Sequence, residues 1–299
     1  MRYEITHTTT YEYSDPVSVS YHVLRLHPRA HAGQRCLRNE LHIDPRPVVA
    51  QTHSDYFGNV VTFVTVEGAH RKWVVTSRSE LEVEAVPAPA PESTTGWEEA
   101  RDRARGDEGA LESGDFLFPS PLIKAPSLFA AYAAPSFPAG RPLLEAVLDL
   151  TRRIHREFKF DSKATTVTTP VEQMLNNRRG VCQDFAHLEI ACLRSMGIPA
   201  RYVSGYLETD PPPGKPRLVG ADASHAWVSF YCPGNGWVDV DPTNNLIPST
   251  RHLTVAWGRD YGDVSPVRGV ILGSGEHSLK VSVDVLPVPS SIPGFSDKA

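Results

Sequence analysis

The segment from Asp184 to Met196 constrains the fold most, because it has the spacing of a helix but almost no polar face. Its apolar side chains are Phe185, Ala186, Leu188, Ile190, Ala191, Leu193 and Met196. A helix that is apolar on nearly all sides is buried at the centre of its domain. Gly197 and Pro199 predict its end. Predicted strands follow at 200–207, 226–231 and 236–240. The pattern favours an α+β fold in which a central helix packs on an antiparallel sheet.

The first 90 residues predict a β-rich domain that precedes this core. From Tyr3 to Tyr13 the odd positions carry aromatic, imidazole or branched side chains, and the even positions carry charged residues or threonine. This two-residue period is typical of a half-buried strand. Further strands are predicted at 17–26, 41–44, 60–66 and 73–83. Short strands separated by turns such as Gly58-Asn59 predict an antiparallel sandwich or meander.

Composition divides the chain into four segments. The proline-rich run at 86–95 favours an extended connector and marks a domain boundary. We expect an N-terminal domain at 1–90, a connector with short helices at 91–140, a core at 141–265, and a C-terminal strand and tail at 266–299. Alternating side chains at 279–285 predict that this last strand packs back on the N-terminal sheet.

Three further helices are predicted around the connector. One covers Trp97 to Arg105. A second has Pro142 at its first helical position, where proline is well tolerated. A third has Thr169 as its N-cap residue and runs to about Asn177.

Charge and hydropathy exclude several classes of partner. The formal net charge is −5 and the basic residues are dispersed, so no nucleic-acid surface is expected. No run approaches the roughly 18 apolar residues of a membrane span, so no membrane contact is expected. The first residues are polar and lack the apolar region of a secretory signal, which favours a cytoplasmic location. The sequence leaves the oligomeric state open.

The four cysteines are Cys36, Cys182, Cys192 and Cys232, none of them in C-x-x-C spacing. This spacing disfavours a zinc knuckle or a redox pair, so neither a metal nor a cofactor is expected. Cys36, Cys192 and Cys232 are interpreted as structural thiols.

Cys182 differs because it stands where the buried helix begins, two residues after Gly180. A cysteine reacts as the thiolate, which helix N-termini and neighbouring imidazolium groups favour. Free backbone N–H groups at that point also offer an oxyanion site. His225 begins a predicted strand and could serve as the general base. Asp241 ends the next strand, and Asp239 faces the same side by alternation; either could orient the imidazole.

Several other residues are candidates for the cleft or for support of the catalytic groups. Asp184 and His187 lie three residues apart on one helix face, where burial requires pairing or contact with a cleft. Trp227 is interpreted more readily as core than as a substrate platform. The remaining candidates are Gln183, Asp222, Ser224, Arg259 and Tyr261.

Four ordered motifs resemble the transglutaminase-like core. They are Arg-Gly-Val-Cys-Gln-Asp-Phe-Ala, Met-Gly-Ile-Pro-Ala-Arg-Tyr-Val-Ser-Gly-Tyr, Ser-His-Ala-Trp-Val and Gly-Trp-Val-Asp-Val-Asp-Pro-Thr. The opening Ile-Thr-His-Thr-Thr-Thr-Tyr-Glu-Tyr and Leu-Arg-Leu-His-Pro-Arg, and the late Gly-Arg-Asp-Tyr-Gly-Asp-Val-Ser-Pro, resemble the bacterial transglutaminase-like proteins specifically. The resemblance therefore covers nearly the whole chain.

The resemblance implies a papain-like thiol fold with Cys182, His225 and Asp241 as its triad, and it favours Asp241 over Asp239 because the matching aspartate precedes Pro-Thr. It departs from the calcium-dependent animal enzymes, in which a tryptophan follows the nucleophile; here the residue is Gln183. No EF-hand-like loop is present in the sequence. These departures argue against calcium-dependent crosslinking.

The sequence thus predicts a thiol hydrolase or acyltransferase that attacks an amide in a peptide, isopeptide or protein through an acyl-thioenzyme. One alternative is a true transglutaminase with an amine acceptor. Another is a binding or scaffolding module that keeps the fold without turnover.

Overall fold

The computed structural model describes residues 1–106, 111–124, 127–210 and 223–288. One of its sheets has six strands, four from residues 2–83 and two from residues 267–288. Their order is β11-β1-β4-β2, with β12 also paired to β1 and β3 paired to β4. Every pairing in this sheet is antiparallel. The strands are β1 (Arg2–Leu24), β2 (Gln34–Asp44), β3 (Val49–Ser54), β4 (Val60–Val83), β11 (Val267–Leu272) and β12 (His277–Val288).

The strands of this sheet are longer than the sequence pattern predicts. β1 and β4 each join two predicted strands into one. The register of their pairing shifts between Glu12 and Val19, so the two strands stay paired across the predicted break. β2 begins seven residues before the predicted Leu41. β3 was not predicted. All six of its residues are exposed, so its sequence shows no apolar period.

The second half contains a four-stranded antiparallel sheet in the order β10-β7-β8-β9. Its strands are β7 (Ala200–Leu207), β8 (Ala223–Cys232), β9 (Gly236–Val240) and β10 (His252–Gly258). A short parallel pair, β5 (Lys159–Phe160) and β6 (Arg179–Gly180), precedes it. The helices are α1 (Trp97–Arg105), α2 (Ser127–Ala133), α3 (Leu143–Glu157), α4 (Val171–Asn177), α5 (Cys182–Ser195) and α6 (Tyr261–Val264).

The central helix of the prediction is α5, and it packs on the inner face of the β7–β10 sheet. Phe185, Leu188 and Cys192 are fully buried against apolar residues of α3 and β8. Burying a leucine or phenylalanine side chain contributes about 1.5–3 kcal/mol relative to leaving it exposed. The helix ends before Gly197, whose φ of +81° lies in the left-handed region that glycine adopts without strain.

Two predicted helix starts are corrected by the structure. Pro142 is the N-cap residue of α3 and precedes its first helical position. Pro170, not Thr169, is the N-cap residue of α4, and no side chain caps that helix. The Thr169 hydroxyl instead accepts a hydrogen bond from the backbone N–H of Thr166, so it is used within the preceding turn.

The two sheets share an interface. Tyr3, Ile5 and Val283 of the first sheet pack against Tyr206 and Leu253 of the second in one buried cluster. β12 pairs with β1 from Arg2 to Tyr13, so the chain returns to the first sheet after completing the second. Within the described residues, no helix has the length and apolar character needed to cross a membrane.

Candidate active site

Cys182 is the first residue of α5, and the turn before it is fixed by Asp184. The Asp184 carboxylate accepts hydrogen bonds from the Val181 N–H at 2.8 Å and from the Thr165 hydroxyl at 2.6 Å. Burial raises the pKa of Asp184 above its ordinary value, although both hydrogen bonds oppose that effect. Gly180 is buried here, and a Cβ atom on it would lie 2.6–2.9 Å from the Asp184 side chain. The glycine is therefore required for this turn.

His225 lies on β8 and Asp241 directly follows β9, the neighbouring strand. The Nε2 atom of His225 is 2.7 Å from Oδ2 of Asp241. Cys182 lines the same cavity as His225, and its side chain acts on the pKa of this imidazole. Because Nε2 faces Asp241, Nδ1 is the nitrogen left for the sulfur. The structure thus places Cys182 beside the hydrogen-bonded pair of His225 and Asp241.

Asp241 is fully buried, and both of its carboxylate oxygens are satisfied. Oδ1 accepts the backbone N–H groups of Thr243 and Asn244 at 2.9 and 3.1 Å. Oδ2 accepts from the Asn244 amide at 2.7 Å and from Nε2 of His252 at 3.0 Å, besides His225. Burial alone would raise the pKa of Asp241, but these hydrogen bonds and the charge of His225 hold it well below its usual range. The carboxylate therefore stays ionised beside the imidazole.

The protonation of His225 follows from its two neighbours. Burial alone would lower the pKa of this imidazole. The hydrogen bond to Asp241 and the nearby Cys182 side chain, together with the charges of those groups, outweigh burial and raise the pKa to about 9. At neutral pH the ring is therefore cationic, which is the form that can protonate a leaving group.

His252 and Asn244 were not predicted as site residues. The sequence pattern predicted no element at 246–258, although β10 begins there at His252. The available signal was the alternation of Leu253, Val255 and Trp257 with more polar or smaller residues. Asn244 lies in the turn after Asp241. Its place three residues after Asp241 in the sequence was the signal that could have indicated its contact with that carboxylate.

His225, Asp241 and His252 also form a possible metal-ligand group. One ligand atom from each lies within 4.8 Å of the others, and no other such group occurs in residues 1–106, 111–124, 127–210 and 223–288. The nitrogens of both histidines contact the same oxygen at 2.7 and 3.0 Å. Each nitrogen is therefore at hydrogen-bond distance from the carboxylate oxygen. In a zinc site, each of these three atoms would instead bind the ion at about 2.0–2.2 Å.

A cavity of about 500 Å³ opens beside Cys182. Gln183, Ser224 and Tyr261, all predicted from the sequence, are among its lining residues. Tyr202 of β7 also lines it, although the sequence analysis did not single it out. Its ring is buried, and burial raises its pKa well above the ordinary value, with the charge of Cys182 acting in the same direction.

Other predicted site residues lie outside this cavity. Asp184 holds the turn described above, and Nε2 of His187 accepts the backbone N–H of Tyr261 at 3.1 Å, which ties α5 to α6. Arg259 does not line the cavity beside Cys182. It pairs with Asp263 at 2.9 Å and lines a different cavity. Asp222 lies outside the described residues.

Trp227 lies behind the row formed by Cys182, His225 and Asp241. Its ring stacks beside His225 with 6.1 Å between centroids, and its indole N–H donates to Asp239 at 2.9 Å. Asp239 is thus occupied by Trp227, while Asp241 contacts His225. Trp227 is buried and takes no part in lining the cavity beside Cys182.

The other three cysteines are free and differ from Cys182 in their surroundings. Cys36 is half-buried, and Cys192 and Cys232 are buried. Burial raises the pKa of all three thiols. None lines the cavity or contacts His225 among the residues described.

Comparisons with known proteins agree with this fold. Residues 131–242 match the transglutaminase-like superfamily, and residues 3–82 match the bacterial transglutaminase-like N-terminal region. The chain is 44% identical over 296 residues to the uncharacterized protein Rv2569c of Mycobacterium tuberculosis, covering 96% of this chain and 93% of that protein. The α+β fold with its transglutaminase-like core, together with these matches, supports a family of cysteine-based enzymes. The chain belongs to the bacterial transglutaminase-like family.

Two further similarities bear on the fold and on the core. A crystal structure described as "a Putative Cysteine Protease from Cytophaga hutchinsonii" matches with a TM-score of 0.73 and 22% identity, covering 97% of this chain and 92% of that one. At this identity the match shows a shared fold. A protein-glutamine gamma-glutamyltransferase of Pseudomonas aeruginosa is 31% identical over 128 residues, which is 36% of this chain and 19% of that protein.

Proposed function

We propose that this protein is a cysteine-dependent amide hydrolase or acyltransferase in which Cys182 is the nucleophile, His225 the general acid and base, and Asp241 the group that orients the imidazole. The observation that carries the proposal is the position of His225, which shares a cavity with Cys182 and lies 2.7 Å from Asp241. The cavity beside the sulfur gives a carbonyl group access to it.

In the first half-reaction the Cys182 thiolate attacks the amide carbonyl carbon. The C–S bond forms, and the carbonyl π electrons move to oxygen. The backbone N–H groups of Cys182 and Gln183 begin α5 and have no acceptor within it, so they can bind this oxyanion. One such donor typically contributes about 10²–10³-fold in rate. The C–N bond then breaks as His225 gives its proton to the departing amine, leaving a thioester on Cys182.

In the second half-reaction the acceptor attacks the thioester. A water molecule or an amine gives a proton to the now neutral His225 as its oxygen or nitrogen bonds to the carbonyl carbon. The C–S bond breaks and the thiolate is restored beside the imidazolium. Water yields hydrolysis, whereas an amine yields acyl transfer.

The proposal is tested by competitive alkylation of the intact protein with iodoacetamide near pH 6, followed by peptide mass spectrometry. Cys182 should react at least 100-fold faster than Cys36, the most accessible of the other thiols. His225→Gln should remove most of this advantage, because the imidazolium that stabilises the thiolate is gone. Equal rates at Cys182 and Cys36 would exclude a thiolate enzyme and favour the binding or scaffolding module.

A second candidate is a transglutaminase that uses an amine as acceptor. The observation in its favour is the 31% identity over 128 residues to the Pseudomonas aeruginosa protein-glutamine gamma-glutamyltransferase. A glutamine-containing protein substrate should then take up a fluorescent primary amine in a reaction that Cys182→Ala abolishes. Ammonia or peptide release without amine uptake would identify a hydrolase. A chelator should leave either reaction unchanged if calcium has no part in it.

A further inference from the structure

The wall of the active-site cavity that faces away from the catalytic core comes from the N-terminal sheet. Tyr11 of β1 and Leu279 and Val281 of β12 line the same cavity as Cys182. Register places Tyr11 opposite Leu279 and Thr9 opposite Val281. The cleft is therefore built from three parts of the chain that are distant in sequence.

This wall presents apolar side chains to solvent beside a reactive thiol. Leu279 is 55% exposed and Val281 is 47% exposed, although both follow the strand pattern that buries Val283 and Val285 nearby. Tyr202 and Tyr261 continue the surface toward Cys182, with 6.3 Å between their ring centroids. Exposed apolar surface next to a polar site is a common mark of a binding groove.

Apart from the pair of Cys182 and His225, charged side chains are absent from the described residues that line the cavity, which include no Asp, Glu, Lys or Arg. His7 lies at its edge with Nδ1 2.9 Å from the Tyr206 hydroxyl and Nε2 2.9 Å from the Thr9 hydroxyl. Burial lowers the pKa of His7 to about 4, so it is neutral at physiological pH. A charged group held against Tyr11, Leu279 and Val281 would lose hydration and would meet no counter-ion among the described residues of that wall.

Resting on the proposed function, we propose that the N-terminal sheet and strand β12 select the acyl donor, and that they accept an uncharged, apolar side chain next to the carbonyl that Cys182 attacks. A cavity of about 500 Å³ is large enough for a leucine or phenylalanine side chain with its flanking backbone. The substrate class is therefore a peptide or acyl amide with an apolar residue at this position. The N-terminal region acts as one side of the active site.

The test uses reagents that share one reactive group. N-benzyl-iodoacetamide, N-(4-carboxybenzyl)-iodoacetamide and iodoacetamide are compared by their rates at Cys182, each divided by its rate with glutathione. The benzyl reagent should exceed its carboxylated counterpart at least tenfold. Val281→Asp should abolish that preference, which is measured as the ratio of the two benzyl rates within each variant. Val270→Asp is the matched control, since Val270 is 64% exposed on β11 and does not line the cavity.

A second measurement separates this inference from the proposed mechanism. N-benzylacetamide, which cannot react, should bind Cys182→Ala protein in ligand-observed NMR, and the added Val281→Asp change should weaken its binding at least fivefold. Slow alkylation of Cys182 by iodoacetamide would refute the mechanism while this binding experiment still decides the role of the wall. Equal rates for the two benzyl reagents, or equal binding to the Val281 variant, would overturn the inference.

Discussion

His252 donates a hydrogen bond from Nε2 to Oδ2 of Asp241 at 3.0 Å. The same oxygen is 2.7 Å from His225, so one buried carboxylate oxygen serves two imidazoles from different strands. The Nδ1 atom of His252 is buried without a partner in the described part of the chain. His252 is thus a positioning residue: it touches the orienting carboxylate and not the sulfur. Its contact fixes the direction from which Asp241 approaches His225.

Asp241→Asn should slow amide turnover by about 10²–10⁴-fold, because the amide group keeps the shape of the carboxylate but not the charge that orients and stabilises the imidazolium. Asp239→Asn is the matched control, since Asp239 lies two residues earlier on β9 and contacts Trp227 instead. Steady-state kinetics on both variants makes the comparison. Equal losses at the two positions would contradict the assignment of Asp241.

His252→Phe should lower turnover by about 10-fold, since the positioning contact to Asp241 is lost but the hydrogen bond to His225 remains. His252→Gln can place an amide N–H near the same oxygen and should recover part of the rate. The alkaline limb of the pH–rate profile should also shift toward neutrality in His252→Phe. A purely structural role would lower stability in both variants without moving the profile.

The sequence predicted the central helix and named Cys182, His225 and Asp241 as candidates, because each stands beside a local signal; the choice of Asp241 over Asp239 rested on the resemblance. Apolar periodicity marks α5, and strand edges mark the histidine and the aspartate. The spacing of 16 residues between His225 and Asp241 fits two adjacent antiparallel strands, and β8 and β9 are paired in this way. These features can be predicted from local sequence patterns.

An unassigned strand and a contact distant in sequence account for what was missed. His252 lies only 11 residues from Asp241, but it stands on β10, a strand that was not predicted. Tyr11 reaches the cavity because β1 pairs with β12, more than 250 residues away. Arg259 was placed in the cleft by its motif, yet Asp263 four residues later holds it elsewhere. Sequence periodicity gives the face of an element, but tertiary packing decides what that face meets.

Gly180→Ala should destabilise the protein by roughly 1–3 kcal/mol and slow the alkylation of Cys182. The new methyl group would lie 2.6–2.9 Å from the Asp184 side chain, which must then release the Val181 N–H. Gly114→Ala is a suitable control, because a Cβ atom there has nothing within 4 Å. Chemical denaturation and iodoacetamide kinetics measure the two effects. An undisturbed alkylation rate in a destabilised Gly180 variant would show that the turn does not position the sulfur.

His225 should make stability depend on pH in a defined window. Its folded-state pKa of about 9 lies above the ordinary value of 6.5, so the folded protein holds the proton more tightly. The resulting stability is fully present below pH 6.5 and is lost as pH rises to about 9. The difference in unfolding free energy between wild type and His225→Gln should fall by about 2–3 kcal/mol across this range. Urea titrations at pH 6 and pH 9 measure it, and a constant difference would mean that the ring is not held as the cation.

Ionisation of the Glu189 carboxyl group should lower the stability of the folded protein. It is fully buried on α5, its Oε1 atom accepts the Thr151 hydroxyl at 2.6 Å, and its Oε2 atom has no partner in the described chain. Burial raises its pKa to about 8, a shift that the Thr151 hydrogen bond opposes and the charge of Asp241 supports. The unfolded carboxyl ionises near pH 4.5, so the wild-type protein loses stability as pH rises from about 4.5 to about 8.

Glu189→Gln removes this titration and keeps an acceptor for Thr151. The variant should therefore gain stability relative to wild type across that range, by an amount on the order of a few kcal/mol at pH 8. Glu145→Gln on α3 is the control, because Glu145 is partly exposed and its contact with Arg141, 3.8 Å away, is a surface pair worth about 0–1 kcal/mol. Thermal and urea unfolding at pH 5 and pH 8 distinguish the two variants. A Glu189→Gln difference that does not change with pH would show that this carboxyl is ionised within the fold at neutral pH.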